Sequence, residues 1–224
     1  MSEWRRRQML AAGGKEEPFV WPDTLQKVAY IYSNDYVGAG GIINTKVSGT
    51  GKVLDFTFAF EDSRNNQVIS GTRYGIKAQL WEDKISLTGG FDGYYGDFPG
   101  GFDTNFHHYV LSSAGLCSYD DTVLYNTPKT PSEDDVQIFL YCWGRGDNYD
   151  ANPHACGKFS SYTIKTVAGK VVFDGIPVRT LDSWVNAEGN TVPTGTVGLF
   201  DMVSKKLFTD YRTSNFGAGP DITD

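Results

Sequence analysis

Between residues 53 and 60 the chain reads VLDFTFAF, which puts Leu54, Phe56, Phe58 and Phe60 on one side of an extended backbone and Asp55 and Thr57 on the other. Side chains alternate with a period of two along a strand, so this stretch predicts a sheet strand with one face in a core. Related signals occur in VAYIYS (28–33), QVISGTRYGIKAQLW (67–81), KISLTG (84–89), HHYVLSS (107–113) and VQIFLYCW (136–143). They continue in SSYTIKTV, KVVFDGIPVR, TVGLFDMV and KKLFTD, each bounded by Gly, Asn, Asp or Pro. Ten or more short strands with no sustained helical period between them predict an all-β, two-sheet antiparallel sandwich and exclude a parallel α/β fold.

Two segments depart from this pattern. VQIFLYCW is apolar on both faces, which predicts a strand in the middle of a sheet. One face must pack the core; the other, with Tyr141 and Trp143, either lies under a covering loop or lines a surface on which a sugar ring stacks. At the N-terminus, Ser2 followed by EWRRRQMLAA and Gly13-Gly14 predicts a short helical arm with a hydroxyl cap and terminating glycines. A helix of about ten residues is marginal alone, so it is expected to be ordered by docking, with Trp4, Arg5, Arg6 and Arg7 as the anchor. The alternative is a helix lying on its own domain. The expected division is an arm and linker over residues 1–25 and a sandwich over 26–224.

Charge separates the same two parts. The formal net charge is −7, but residues 1–15 carry Arg5, Arg6, Arg7 and Lys15 against Glu3, a local +3, so the remainder carries −10. A body this acidic repels a phosphate backbone and disfavours nucleic acid as a partner. Cys117, Cys142 and Cys156 have no metal-ligand spacing and read as reduced thiols. The apolar run Met9 to Ala12 is too short for a secretory leader, and no window is long and apolar enough for a membrane span. Synthesis in a host cytoplasm without an export signal is the expectation.

The stretch GGFDGYYGDFPGGFD, residues 89–103, holds six glycines, five aromatic rings and three carboxylates. As a sugar platform it would use Tyr94, Tyr95 or Phe98 for stacking and Asp92, Asp97 or Asp103 for hydroxyls. The competing expectation is a self-packed loop or a subunit contact, since Gly-rich aromatic loops also build interfaces.

Three segments together resemble the concanavalin A-like lectin/glucanase superfamily, in the laminin G-like form found in phages and surface proteins of gut bacteria. The first is AYIYSNDYVGAGGIINT. The second is HHYVLSSAGLCSYDDTVLYN, with an Asp turn at Asp120-Asp121. The third is the closing run: Phe173, Pro177 and Arg179 as Phe-x-x-x-Pro-x-Arg, Val197 to Asp201 as Val-Gly-Leu-aromatic-Asp, and Phe216, Gly219 and Pro220 as Phe-x-x-Gly-Pro. The resemblance implies a jelly-roll topology, a fold that carries lectins, glycanases and plain structural modules.

Catalytic chemistry is not supported. A retaining glucanase of that superfamily needs Glu-x-Asp-x-Glu on one strand, and the sequence has only adjacent pairs such as Glu61-Asp62 and Glu82-Asp83, whose side chains would point to opposite faces. No nucleophile elbow accompanies His107, His108 or His154, and the inward member of the His107-His108 pair reads as a packed histidine. SGTGK at 48–52 lacks the first glycine and the final Ser or Thr of a phosphate loop. Asp147, Asn148 and Asp150 are oxygen ligands of the kind calcium takes and form a candidate calcium set, without the EF-hand spacing. No other cofactor is expected. The sequence therefore points to a non-enzymatic phage virion structural protein, a fibre, decoration or tail appendage. It would be a homo-oligomer contacting other virion proteins and a cell-surface glycan, with a bacterial carbohydrate-binding module as the alternative and a glycan-cleaving enzyme as a third reading.

Overall fold

The computed structural model describes residues 19–33, 41–63, 66–73, 75–89, 93–130, 136–142, 144–145, 148–149, 155–211 and 216–223. The expected N-terminal helix lies outside them. The described residues contain strands and turns and no helix. In chain order the strands begin with β1 (Leu25–Lys27), β2 (Ile31–Ser33), β3 (Ile43–Ser48), β4 (Lys52–Phe60), β5 (Gln67–Gly71), β6 (Ile76–Trp81) and β7 (Lys84–Gly89). Next come β8 (Gly93–Gly96), β9 (His107–Ser112), β10 (Leu116–Tyr119), β11 (Thr122–Asn126), β12 (Gln137–Leu140), β13 (Gly144–Arg145) and β14 (Asn148–Tyr149). The last are β15 (Gly157–Thr166), β16 (Val171–Thr180), β17 (Trp184–Val185), β18 (Thr191–Val192), β19 (Val197–Asp201), β20 (Lys206–Phe208) and β21 (Gly217–Ala218).

The larger sheet runs β11-β10-β9-β4-β15-β16-β19-β20, with β1 added on β16, β2 on β15 and β21 on β2. The smaller sheet runs β3-β12-β5-β6-β7-β8. Every pair of named strands in both is antiparallel. Their inner faces meet in one core containing Leu54, Phe56, Phe58 and Phe60 from β4, Tyr109 and Leu111 from β9, and Leu80, Leu87 and Ile138 from the smaller sheet. Polar contacts cross the gap as well. The Tyr162 hydroxyl of β15 lies 2.6 Å from Ser70 Oγ of β5, and Cys117 Sγ donates to the Leu87 carbonyl at 3.2 Å. The architecture is that of an all-β sandwich.

The period-two reading of VLDFTFAF holds residue by residue: Leu54, Phe56 and Phe58 are fully buried, while Asp55 and Thr57 face outward. Adjacent acidic pairs make the tight turns. Glu82-Asp83 joins β6 to β7, and Asp120-Asp121 joins β10 to β11, with φ of 51° and 61° in the first pair and 45° and 62° in the second. Two successive positive φ values match the right-handed twist of the flanking strands, and short polar side chains tolerate them best.

The closing motifs are parts of this scaffold. Asp201 accepts the backbone N–H groups of Asp174, Val203 and Ser204 and so fixes the turn after β19. Arg179 donates twice to Asp221, both at 2.8 Å, which ties down the C-terminal segment. Phe216 packs against Tyr141 in the core.

The outer face of the larger sheet is divided. Over β16, β19 and β20 it carries a second apolar cluster, in which Phe19, Trp21, Ile176, Trp184 and Val192 cover Val178, Phe200 and Leu207. Among the described residues, Phe19 and Trp21, upstream of residue 26, thus pack on the sandwich. Over β9, β4 and β15 the outer-face side chains Asp55, Thr57, His108 and Lys165 are only partly buried.

Candidate functional site

Glycine-rich residues 93–103 build one end of the sandwich. Gly93–Gly96 is the edge strand β8 paired with β7, and the chain then turns at Gly100 and Gly101, both at positive φ. Phe98 is 6 % exposed and packs on Phe60, Phe102 and Tyr119 with ring centroids 5.4 to 6.0 Å away. That burial removes Phe98 from both the sugar and the interface expectations, because the end of the core needs an apolar plug. Tyr94 is half-buried, its hydroxyl donating to the Asp97 carbonyl at 2.8 Å. Tyr95 is 49 % exposed at the sheet edge beside Lys84 and Glu82. Asp97 is exposed, and Asp103 is engaged with His107. Asp92 lies outside the described residues.

Tyr141 also belongs to the core. It is fully buried, its hydroxyl donates to the Ile31 carbonyl at 3.0 Å, and its ring packs on Phe159 and Phe216. Its backbone at φ 65° ends β12 and turns the side chain inward, so it cannot line an open surface. Trp143 lies outside the described residues.

A set of partly exposed aromatic rings occurs elsewhere, on the outer face of the larger sheet. Ile31 points into the core, so its neighbours Tyr30 and Tyr32 point outward. Phe106, which leads into β9, is 42 % exposed, and its ring centroid is 5.8 Å from Tyr30; Tyr30 is 6.3 Å from Tyr32. Glycines of the closing motif make room for these rings. A β carbon at Gly217 would fall 1.9 Å from the Tyr32 ring, and one at Gly219 2.8 Å from the Tyr30 ring. Ala59, opposite Lys158 on β15, is buried although it faces outward. Lys158 pairs with Glu61 at 2.7 Å and holds its ammonium 5.6 Å from the Tyr30 ring centroid.

Polar groups continue the surface along β4. Asp55, Thr57 and Ala59 share the outer face, and Asp55 is held by Lys165 Nζ at 2.6 Å on Oδ2 and by His108 Nε2 at 2.9 Å on Oδ1. Burial raises the Asp55 pKa, but the hydrogen bonds from Lys165 and His108 outweigh that and leave it below the ordinary 3.8. A carboxylate with a depressed folded value stabilises above its unfolded pKa, and the contribution is lost as pH falls through the depressed value. Asp55→Asn is therefore expected to cost about 1 kcal/mol at neutral pH for this partly solvated group. Urea midpoints should converge with the parent's in acid; a gap that persists below about pH 2 would assign the loss to packing.

The arrangement can stack an apolar ring face on Tyr30, Tyr32 and Phe106 while offering Lys158, Lys165, His108 and Thr57 to hydroxyl groups. It has no carboxylate pair across an open cleft: Glu61 is paired with Lys158, and Asp55 with Lys165 and His108. The inward histidine is His107, stacked on Tyr119 at 4.8 Å as expected of a packed imidazole. Asp147 and Asp150 of the candidate calcium set lie outside the described residues, as do His154 and Trp4 to Arg7. Among the described residues, no group of three His, Cys, Asp or Glu could hold a metal ion. Tyr30, Tyr32 and Phe106 are far apart or alternate in the sequence and form no motif there. The visible signal was AYIY, where an outward face carries two tyrosines instead of polar residues.

Fold and surface together define a two-sheet antiparallel β-sandwich with an aromatic and polar outer face. No protein-family model matches the chain, and no curated protein matches it.

Proposed function

We propose that this chain is a non-catalytic, lectin-like structural protein of a phage virion, a concanavalin A-like jelly roll displayed as a homo-oligomer and contacting host-surface glycan. The observation that carries the adhesive part is the ring platform of Tyr30, Tyr32 and Phe106 beside Lys158 and the group of Asp55, His108 and Lys165. Sugars present an apolar C–H face and a rim of hydroxyls, and partly exposed aromatics flanked by oriented donors and acceptors match both. Attachment to a particle is supported by the basic residues Arg5 to Arg7 against a body of charge −10, and by the phage-type resemblance of the closing run. A carbohydrate-binding module of a bacterial surface protein is the second reading, favoured by the same platform.

Deleting residues 2–14 separates the two. The first reading expects an unchanged thermal melt, since the strand pattern begins near Lys27, retained glycan binding, and loss of incorporation into particles. Binding without any particle association of the parent chain would favour the module. Sugar release from polysaccharides, abolished by a single Asp or Glu substitution, would overturn both.

A further inference from the structure

His107 joins the glycine-rich loop to the platform. Its Nδ1 is 2.6 Å from Asp120 Oδ2 and its Nε2 is 2.8 Å from Asp103 Oδ1. A neutral imidazole has one N–H and one lone pair, so one contact would set a lone pair against a carboxylate. Only the imidazolium donates to both. Burial of the ring opposes the charge, but the hydrogen bonds and charges of Asp120 and Asp103 prevail, and its pKa lies above the ordinary 6.5. Around it stand Asp103 from the loop, Asp120 from the β10-β11 turn, Tyr119 from β10 and Tyr109 from β9. Farther along the outer face are His108, Asp121, Asp55 of β4 and Lys165 of β15.

We propose that the His107 imidazolium is a pH-sensitive clamp that holds the 97–106 loop, and with it Phe106, in the arrangement that receives glycan. The glycan part rests on the platform reading above. Asp103 Oδ1 also accepts the Asn105 N–H at 2.7 Å, so this carboxylate fixes the turn leading directly to Phe106. Asp120 is held independently by the His108 N–H at 2.8 Å, which makes Asp103 the side that releases when the proton leaves. A histidine with a raised folded pKa contributes fully below its unfolded value, and the contribution disappears as pH rises through the raised value. The platform is therefore assembled below the ordinary imidazole value and loosened as pH rises through the raised one.

The test uses the full chain at about pH 6, below the ordinary imidazole value, and at a second pH about three units higher. Hydrogen exchange, corrected for the intrinsic effect of pH, and the nuclear Overhauser contact between the Phe106 and Tyr30 rings are followed together with retention on a glycan panel. At the higher pH, protection of 98–106 is expected to fall at least tenfold, the ring contact to weaken and retention to drop, with β4 amides unchanged. His107→Gln should show the loosened loop at both pH values; its β4 protection reports that it folds. A loop equally protected at both pH values in the parent, or parent-like in His107→Gln, overturns the clamp. A loop that loosens with pH in a protein that retains no glycan at any pH upholds the clamp and overturns the glycan reading.

Discussion

Alanine at both Tyr30 and Phe106 is expected to remove the proposed retention on glycan while leaving a cooperatively folded sandwich. Each well-contacted aromatic anchor is worth on the order of 2 kcal/mol at an interface, so losing two corresponds to about a thousandfold in Kd. The fold should tolerate the change, because both rings lie on the outer face, with Phe106 substantially exposed and Tyr30 laid over Gly219. Tyr30→Phe keeps the ring and should keep most of the affinity. Tyr95→Ser, at the far sheet edge, provides the contrast and is expected to leave retention unchanged. Isothermal titration with glycan fragments, beside thermal melts, reads both quantities. Loss of retention in Tyr95→Ser, with parent-like affinity in the double alanine variant, would transfer the sugar platform to the β8 edge.

Phe58→Ala should produce the largest loss of stability. The ring is fully buried and meets Phe159 at 4.7 Å, Phe60 at 5.1 Å and, across the sandwich, Tyr141 at 6.2 Å. Gly157 is packed so tightly against it that an added β carbon would lie 2.3 Å from the Phe58 ring and 2.3 Å from the Ala59 carbonyl oxygen. With neighbours fixed in this way the cavity cannot collapse, and truncation is expected to cost about 3–5 kcal/mol. Against a typical domain stability of about 5–15 kcal/mol that is a large fraction of the total. Equilibrium urea unfolding measures it. A loss under about 1 kcal/mol would mean that the sheets do not depend on Phe58 for their contact.

The fold was legible wherever a strand has one wet face. VLDFTFAF alternates because β4 lies between β9 and β15 with one side in the core, and the Asp120-Asp121 turn implied by the resemblance forms at two successive positive φ values, which favour short polar residues. VQIFLYCW was harder. Its two apolar faces announced burial but could not say what covered the second one, and Tyr141 turns inward through a positive φ that no periodicity encodes. Phe98 misled for a related reason: a ring in a glycine-rich loop is free to fold back into the end of its own sandwich, and here the space beside Phe60 and Tyr119 draws it in.

The sequence alone determined the strand periodicity, the turn chemistry and the all-β class, since these depend on residues within a few positions of one another. Tertiary structure decided which aromatics stay in solvent. Tyr30 meets both Phe106 and Tyr32 only because β2 and β9 are brought into the same sheet, with Ala59 and the glycines of the closing motif giving the rings room. His107 likewise gains its two carboxylates from a loop and a turn that converge only after β9 pairs with β10. Those contacts are set by sheet order and close packing across distant segments, and a local pattern carries neither.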